Sequence, residues 1–323
     1  MKAVEYIKKA KPERLVFTDV EKPVPKDDEV LLRIHAVSVN AADYRSMKMG
    51  LIPARKIFGA DVSGVVESAG RSVTLFKPGD EVAGDLAGCG FGGFAEFAAA
   101  PEKALVAKPA GISFEEAAAM PMASVTSLQA LRDKGKISKG QEVLVLGSSG
   151  GVGTFTVQLA KHFGAIVTAV CSTRNMEQAR LLGAHRVIDY TKEDFSTGSS
   201  KYDLIVAVNG NYSLLKCRKA LKPDGRYVMV GGALSQVFRA MILGKPLSMG
   251  RRKMLFLAAK PNTDDLKYIM HLASDGIIRP VIERYYSPEK TPDAMRYAGE
   301  GHVQGKVVIK WYPEVVITRG ATV

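Results

Sequence analysis

The 323-residue sequence predicts an α/β protein in which a doubly wound parallel sheet is joined to a smaller β-barrel domain. Two patterns support this prediction. Beyond residue 142, short apolar runs alternate with helical segments, as in a parallel sheet that helices cover on both faces. Before residue 115, strand-like runs are separated by Gly, Pro and Asp, which is typical of a small antiparallel barrel.

Barrel strands are expected where short apolar runs lie between turn residues. We place four of them at Val30–Ile34, Val62–Val66, Glu81–Ala83 and Phe94–Ala98. After these strands, Ser113 and Glu116 have the spacing of a capping box, which predicts the start of a helix. Pro121 should break or kink that alanine-rich helix, because its ring clashes with the preceding turn.

The parallel sheet is predicted to contain six strands. The first, Val143–Leu146, is a continuous apolar run, as expected for a strand buried on both faces. The following helix carries Val152, Phe155 and Leu159 on one face and ends at Gly164. The other five strands are expected at Ile166–Val170, Val187–Tyr190, Leu204–Val208, Tyr227–Val230 and Met254–Ala258.

The C-terminal part should return to the barrel. A helix is expected at Thr263–Ser274, a strand near Val281–Tyr285, a helix near Pro292–Ala298 and a final strand at Lys306–Lys310. We therefore assign residues 1–119 and 260–323 to the barrel domain, and residues 120–259 to the domain of the parallel sheet.

The composition is that of a globular protein, with 46% hydrophobic and 24% charged residues. No apolar run reaches the roughly 18–20 residues that cross a bilayer, and no signal peptide begins the chain, so we expect a cytoplasmic protein without an integral membrane segment. Three isolated cysteines indicate neither a disulfide framework nor a structural zinc lobe. The net charge of +12 suits a polyanionic cofactor, but without an aromatic-interleaved basic motif it does not indicate nucleic-acid binding.

A glycine-rich loop, Gly147–Gly153, is the central functional signal. It follows a buried strand and opens an amphipathic helix, which is the context that dinucleotide binding requires. Gly150 and Gly151 would let the backbone approach a pyrophosphate at the helix N-terminus, and Gly153 would let the helix pack close to the strand.

The end of the second strand predicts NADPH as the dinucleotide. An NAD site usually has Asp or Glu there, whereas this sequence has Ser172, Thr173 and Arg174, with no carboxylate before Glu177. The two hydroxyls and the planar guanidinium suit a 2′-phosphate.

Motifs along nearly the whole chain resemble the zinc-lacking quinone oxidoreductase branch of the medium-chain dehydrogenase/reductase superfamily. Within that branch, the sequence is most similar to the reticulon-interacting and chloroplast-envelope quinone oxidoreductase homologues. The matching segments are Val37–Asp43, Gly59–Val66, Phe76–Val82, Gly92–Phe97, the glycine loop, Val187–Tyr190 and Gly301–Lys306.

The resemblance implies a GroES-like barrel domain, a Rossmann domain, a cleft between them and a homodimer. It also implies a metal-free site, since Asn40 and Ala60 stand where zinc-dependent relatives have a Cys and a His ligand. The cofactor contacts that it implies are Asn40, Thr126, Ser149, Gly151, Val152, Ser172, Arg174, Asn175, Tyr190, Asn209, Gly231, Gly232 and the segment His302–Lys306, with Lys306 at its end.

Hydride transfer from NADPH to a quinone, or to the C=C bond of an α,β-unsaturated carbonyl, suits a site without metal, because conjugation spreads the developing charge onto oxygen. Tyr44 and Arg45 are candidate substrate-orienting donors, although packing explains Tyr44 equally well and an arginine such as Arg45 is more often a surface charge. Asp43 is expected to orient its loop rather than to act as a base. Residues 233–253, which include Phe238 and Met241, are a candidate wall of the substrate pocket.

Two other functions remain open at this point. The basic charge is also consistent with a non-catalytic NADPH-binding regulator or an RNA-binding protein of the same fold. A zinc-independent reductase of C=O bonds would use the same cofactor site and would differ in its product.

Overall fold

The computed structural model of the chain describes residues 1–7, 14–197, 201–208, 212–231, 248 and 250–312. Within these residues, the predicted parallel sheet and a second, largely antiparallel sheet are both present. The strands are β1 Lys2–Tyr6, β2 Leu15–Asp19, β3 Glu29–Val39, β4 Asp61–Ala69, β5 Glu81–Asp85, β6 Phe97–Pro101, β7 Leu105–Ala107, β8 Glu142–Leu146, β9 Ile166–Cys171, β10 Arg186–Asp189, β11 Tyr202–Ala207, β12 Leu221–Met229, β13 Lys253–Phe256, β14 Ile282–Tyr286 and β15 Lys306–Lys310. The α-helices are α1 Ala41–Lys48, α2 Phe114–Ala119, α3 Pro121–Leu128, α4 Gly151–His162, α5 Met176–Leu181, α6 Leu214–Ala220, α7 Thr263–Ser274 and α8 Thr291–Gly299.

The barrel sheet, which we define as β3–β7 with β14 and β15, has the order β14-β15-β3-β4-β5-β7, and β6 also pairs with β3. The long strand β3 is its centre, since its first half pairs with β6 and its second half with β15. The predicted return of the C-terminal strands to the barrel is therefore confirmed. We expected an antiparallel barrel throughout. The pair β14–β15 is instead parallel.

The fourth predicted barrel strand begins three residues later than expected, at Phe97 instead of Phe94. Phe94 is fully buried, and its backbone bonds to Phe58 and to Val4 rather than to β3. Its side chain therefore belongs to the core beneath the barrel sheet. The pairing of β6 with β3 begins only at Phe97.

The second sheet is fully parallel within the described residues and has the order β10-β9-β8-β11-β12-β13. This is the doubly wound order, in which the direction of strand addition reverses between β8 and β11. Along β8, Val143 and Val145 join one apolar cluster while Leu144 and Leu146 join another, so both faces of the strand are buried as predicted.

Two helices join the sheets where the sequence places a broken helix. The side chain of Ser113 accepts a hydrogen bond from the backbone N–H of Glu116, and the Glu116 carboxylate accepts one from the N–H of Ser113. This capping box starts α2, and Pro121 becomes the first residue of α3, where its missing N–H costs nothing. Helix α7 has the bounds expected from the sequence.

Helix α7 bears on the predicted domain boundary at residues 259 and 260. Its buried residues Leu266 and Ile269 share one apolar cluster with Val125 and Leu128 of α3 and with Val143 of the parallel sheet. The helix thus packs on the sheet domain, although the predicted boundary assigns it to the barrel domain. The boundaries 119/120 and 259/260 stay a proposal.

Candidate functional site

The glycine loop connects the end of β8 to the start of α4. Gly147 has φ 78°, which favours glycine, and a Cβ on Gly153 would lie 2.2 Å from the carbonyl oxygen of Gly147. The buried hydroxyl of Ser148 donates to the carbonyl of Val170 at 3.0 Å and so ties the loop to β9. The loop is held in one shape that only glycine permits at position 153.

The start of α4 fits an anionic group. Gly150 is its N-cap, and no side chain of the described residues caps the helix there. A Cβ on Gly150 would meet nothing within 4 Å, so the space beside Gly150 is open. The N–H groups of that turn and the positive end of the helix dipole can therefore receive a pyrophosphate.

The end of β9 carries the residues that we predict to distinguish NADPH from NADH. Arg174 is exposed, and its Nη2 donates to the carbonyl oxygen of His302 at 2.5 Å. Asn175 is buried and its Nδ2 donates to the Ser172 hydroxyl at 3.2 Å, while its Oδ1 has no partner among the described residues. The arrangement brings Ser172 and Arg174 to one edge of the sheet.

Asp189 is a residue that the sequence interpretation missed at this edge. It ends β10, which is the neighbour of β9, and one carboxylate oxygen accepts from the Thr173 hydroxyl at 2.5 Å. The other oxygen accepts from the backbone N–H of Thr191 at 3.0 Å and from its hydroxyl at 2.7 Å. The hydrogen bond from Thr173 lowers the pKa of Asp189. A search for carboxylates at the ends of both neighbouring strands would have found it, because parallel strands end at the same edge.

The remaining predicted cofactor contacts differ in their surroundings. Thr126 is buried in α3, Tyr190 is 56% exposed, and Val152 is half-buried with its carbonyl bonded to the Ser127 hydroxyl. Gly231 follows β12, and a Cβ there would lie 2.8 Å from the carbonyl oxygen of Val208. Asn209 and Gly232 lie outside the described residues, as do Phe238 and Met241 of the proposed pocket wall.

The segment that leads into β15 crosses the glycine loop. The N–H of Gly305 donates to the carbonyl of Ser149 at 2.8 Å, and Gly150 forms a parallel bridge with Gly305. Lys306 is only 4% exposed, and a Cβ on Gly151 would lie 2.8 Å from its Cδ. The stem of Lys306 therefore lies against the loop.

The ammonium of Lys306 points away from the loop, into the barrel. Its Nζ donates to the side-chain oxygen of Asn40 at 2.5 Å and lies 3.8 Å from Asp61 Oδ2. The carboxylate of Asp61 also accepts from the N–H of Met122 at the start of α3. Burial raises the pKa of Asp61 and lowers that of Lys306, and each shift is opposed by the charge of the other group.

Asp43 orients the segment after β3, as expected. It is fully buried, and its two oxygens accept the N–H groups of Asn40 at 2.8 Å and of Gly59 at 3.0 Å. Burial raises the pKa of Asp43 to about 6, although both hydrogen bonds oppose this shift. Burial also raises the pKa of Asp85, whose charge acts on Asp43.

The candidate substrate-orienting residues lie on α1. The ring of half-buried Tyr44 packs on the backbone of α8, since a Cβ on Gly299 would lie 2.6 Å from its Cε2. Arg45 is also half-buried. The packing of Tyr44 is thus visible, and a role of either residue towards substrate stays a prediction.

Groupings of potential metal ligands and long apolar helices are both absent from the described part of the chain. No three His, Cys, Asp or Glu side chains are grouped there so as to hold a metal ion. No helix there is both long enough and apolar enough to cross a bilayer.

Comparisons with known proteins cover both halves of this arrangement. Residues 26–110 match the family described as alcohol dehydrogenase GroES-like domain, and residues 182–309 match the family described as zinc-binding dehydrogenase. The chain is 33% identical over 310 residues to the chloroplast envelope quinone oxidoreductase homolog of Arabidopsis thaliana, covering 92% of this chain and 94% of that protein. It is 33% identical over 306 residues to the NADPH-dependent alkenal/one oxidoreductase, chloroplastic, of the same plant, covering 90% and 74%. The solved quinone oxidoreductase from Coxiella burnetii superposes with a TM-score of 0.87 at 28% identity, covering 97% of this chain and 99% of that one.

Proposed function

Because the chain belongs to the quinone oxidoreductase branch of the medium-chain dehydrogenase/reductase superfamily, we propose that it is an NADPH-dependent, zinc-independent reductase of quinones or of the C=C bond of enones and enals. Membership makes it an oxidoreductase with a nicotinamide cofactor, while the NADPH preference, the acceptor and the metal independence are the proposal. The observation that carries it is the start of α4, where no side chain caps the helix and the space beside Gly150 is open, with Arg174 three residues after the end of β9.

The preference for NADPH rests on the charges at the end of β9. A 2′-phosphate adds negative charge, which favours a guanidinium and disfavours a free carboxylate. Arg174 offers its guanidinium there. The nearby carboxylate of Asp189 stays ionised, but both of its oxygens accept hydrogen bonds from Thr173 and Thr191, which leaves it little capacity to accept from a ribose hydroxyl as an NAD site requires. The name of the Arabidopsis alkenal/one oxidoreductase, which includes NADPH, agrees with this choice.

Independence of zinc rests on the chemistry of the residues at the barrel end. Ala60 offers no ligand atom, and the amide of Asn40 is a poor ligand for zinc. The Lys306 ammonium lies 2.5 Å from the Asn40 oxygen, so a divalent cation bound there would meet a positive charge. Full activity after chelation supports this part of the proposal, and stoichiometric zinc that activity requires would contradict it.

The nicotinamide supplies the hydride when it is bound. The chain's own task is to place the acceptor and to stabilise the negative charge that develops on the acceptor oxygen. Helix α1 follows β3, and β15 begins beside the end of β3, so Tyr44, Arg45 and Lys306 lie at the same end of the barrel sheet. We propose Tyr44 and Arg45 as the hydrogen-bond donors to that oxygen.

Cofactor titrations test the first part of the proposal. Wild-type protein should bind NADPH more tightly than NADH, and Arg174→Ala should weaken NADPH binding about 10- to 100-fold while leaving NADH nearly unchanged, since a hydrogen-bonded charge contributes roughly 1.5–3 kcal/mol. Arg180→Ala is the matched control, because Arg180 is an exposed arginine near the end of α5. Tighter binding of NADH by the wild type would refute the NADPH assignment.

Product analysis tests the acceptor. NADPH oxidation should depend on a quinone, a 2-alkenal or an enone, and an enone should yield a saturated carbonyl. An alcohol as product would identify a carbonyl reductase instead. If the protein binds NADPH but reduces none of these acceptors, the reductase proposal is wrong and the non-catalytic regulator becomes the better interpretation.

We also propose a homodimer. Strand β13 is the last strand of the parallel sheet among the described residues, and its outer edge pairs with no described strand, which suits pairing with a second copy. Light scattering during gel filtration measures the mass directly, and a monomer at micromolar concentration would contradict the proposal. The cytoplasmic location stays a prediction.

A further inference from the structure

The segment Gly299–Gly305 of the barrel domain is fixed between two partners. On one side it meets the dinucleotide site, where the His302 carbonyl accepts from Arg174 at 2.5 Å and the Gly305 N–H donates to Ser149 at 2.8 Å. On the other side, the backbone N–H of Gln304 donates to a carboxylate oxygen of Glu283 at 2.9 Å. Glu283 lies on β14, in the barrel sheet.

Glu283 is itself held in position. Its second carboxylate oxygen accepts from the Tyr297 hydroxyl at 2.8 Å, and the guanidinium of Arg284 lies over the Tyr297 ring, 4.2 Å from its centre. Burial and the hydrogen bond to Glu283 raise the pKa of Tyr297, which keeps the hydroxyl protonated as the donor. Glu283 therefore joins α8 to the backbone at Gln304.

We propose that Glu283 is a positioning residue for cofactor specificity: by fixing the backbone at Gln304 it places the His302 carbonyl, and that carbonyl orients Arg174 to receive the 2′-phosphate of NADPH. This inference rests on the proposed NADPH-dependent function. It adds that the barrel domain, through Glu283, sets the orientation of Arg174, which belongs to the domain of the parallel sheet.

The physical reason lies in the flexibility of arginine. Arg174 is exposed, and a free arginine side chain samples many rotamers, so fixing it on a phosphate costs conformational entropy. The His302 carbonyl uses one of the five N–H donors of the guanidinium and leaves the others for the phosphate. An arginine that is oriented beforehand loses less entropy on binding, which increases affinity.

The same anchoring has no counterpart for NADH. NADH has a 2′-hydroxyl where NADPH has the phosphate, so the orientation of Arg174 contributes little to its affinity. A defect at Glu283 should therefore change the ratio of the two dissociation constants. A general loss of folding would weaken both cofactors equally.

Binding titrations with variants test the inference without any acceptor. Glu283→Gln replaces one carboxylate oxygen by an NH2 group, which donates and cannot accept. One of the two hydrogen bonds, from the Gln304 N–H or from the Tyr297 hydroxyl, is then lost, and the remaining acceptor oxygen is uncharged. The dissociation constant for NADPH should rise about five- to tenfold, the net effect of roughly one hydrogen bond, while that for NADH stays within about twofold. Glu289→Gln is the matched control, because Glu289 is exposed shortly after β14. Tyr297→Phe removes one of the two hydrogen bonds and should give a smaller change in the same direction.

A double-mutant cycle separates positioning from a structural effect. If Glu283 acts through Arg174, Glu283→Gln should have almost no further effect on NADPH binding once Arg174→Ala is present. Fully additive effects, or equal weakening of NADPH and NADH, would overturn the inference while leaving the proposed function intact. A wild-type protein without preference for NADPH would overturn both.

Discussion

The ammonium of Lys306 lies 2.5 Å from the side-chain oxygen of Asn40, where the barrel meets the glycine loop. Asn40 is the N-cap of α1 and Lys306 begins β15, so the contact joins residues that are 266 positions apart. The carboxylate of Asp61 is the nearest counter-charge, and both members of this pair are almost fully buried. The ion pair of Lys306 and Asp61 therefore links the stability of the barrel to the place where the cofactor is expected.

Removing the buried ammonium should destabilise the protein strongly. Lys306→Met keeps the stem that packs on Gly151 but leaves Asp61 without its counter-charge, which typically costs about 3–5 kcal/mol. Urea unfolding measures the change. Lys267→Met is the control, because it breaks an exposed ion pair with Asp264 and should change the free energy of unfolding by at most about 1 kcal/mol. Equal stabilities of the two variants would show that the buried pair is not charged.

Asp43 should make the protein less stable as the pH rises from about 4 to about 6. Its folded-state pKa of about 6 lies above the ordinary pKa of 3.8 for an aspartate in an unfolded chain, so between these values the folded protein binds more protons than the unfolded chain. Its contribution to stability is then greatest below pH 4 and falls by at most about 1.4 kcal/mol per pH unit across this range. Comparison of the wild type with Asp43→Asn in urea at several pH values isolates the effect, and parallel curves would contradict it.

Two glycines of the loop should respond differently to the same substitution. Gly150→Ala places a methyl group in open space, so the melting temperature should stay within about 2 °C, but the methyl lies before the first turn of α4 and should weaken NADPH binding at least about tenfold. Gly153→Ala would bring its Cβ 2.2 Å from Gly147, so the protein should lose stability by several kcal/mol. Thermal unfolding and cofactor titration of both variants check this. A reversed pattern would mean that the cofactor does not bind at the start of α4.

The capping box of α2 should contribute measurably to stability. Ser113→Ala removes the acceptor for the N–H of Glu116 and should lower the free energy of unfolding by about 1 kcal/mol. The control is Ser138→Ala at an exposed position, which should change stability by less than about 0.5 kcal/mol. Urea unfolding again provides the measurement, and no difference between the two variants would contradict the role of the cap.

Local patterns in the sequence predicted the elements that depend on local physics. The apolar run of β8, the cap at Ser113 and the bounds of α7 follow from residues that are near one another in the chain, and all three appear in the structure. The glycine loop was found for the same reason, since its shape follows from its own residues.

Contacts between distant segments were beyond the reach of those patterns. The sequence shows that Thr173 and Asp189 exist, but only the pairing of β9 with β10 brings them within hydrogen-bond distance. The anchoring of Gln304 by Glu283 likewise depends on how β14 lies beside β15. The late start of β6 at Phe97 has a similar cause, since the competing partner Phe58 is distant in the chain.

The bridge between Gly150 and Gly305 has a consequence for engineering. A chimera that transplants only residues 120–259 onto a foreign barrel would carry the glycine loop but not the segment before β15 that lies against it. A workable graft should include the donor's residues 299–306, together with the host contacts that anchor them. Because we propose that this segment orients Arg174, we expect an exchange of these eight residues between homologous enzymes to alter their coenzyme preference.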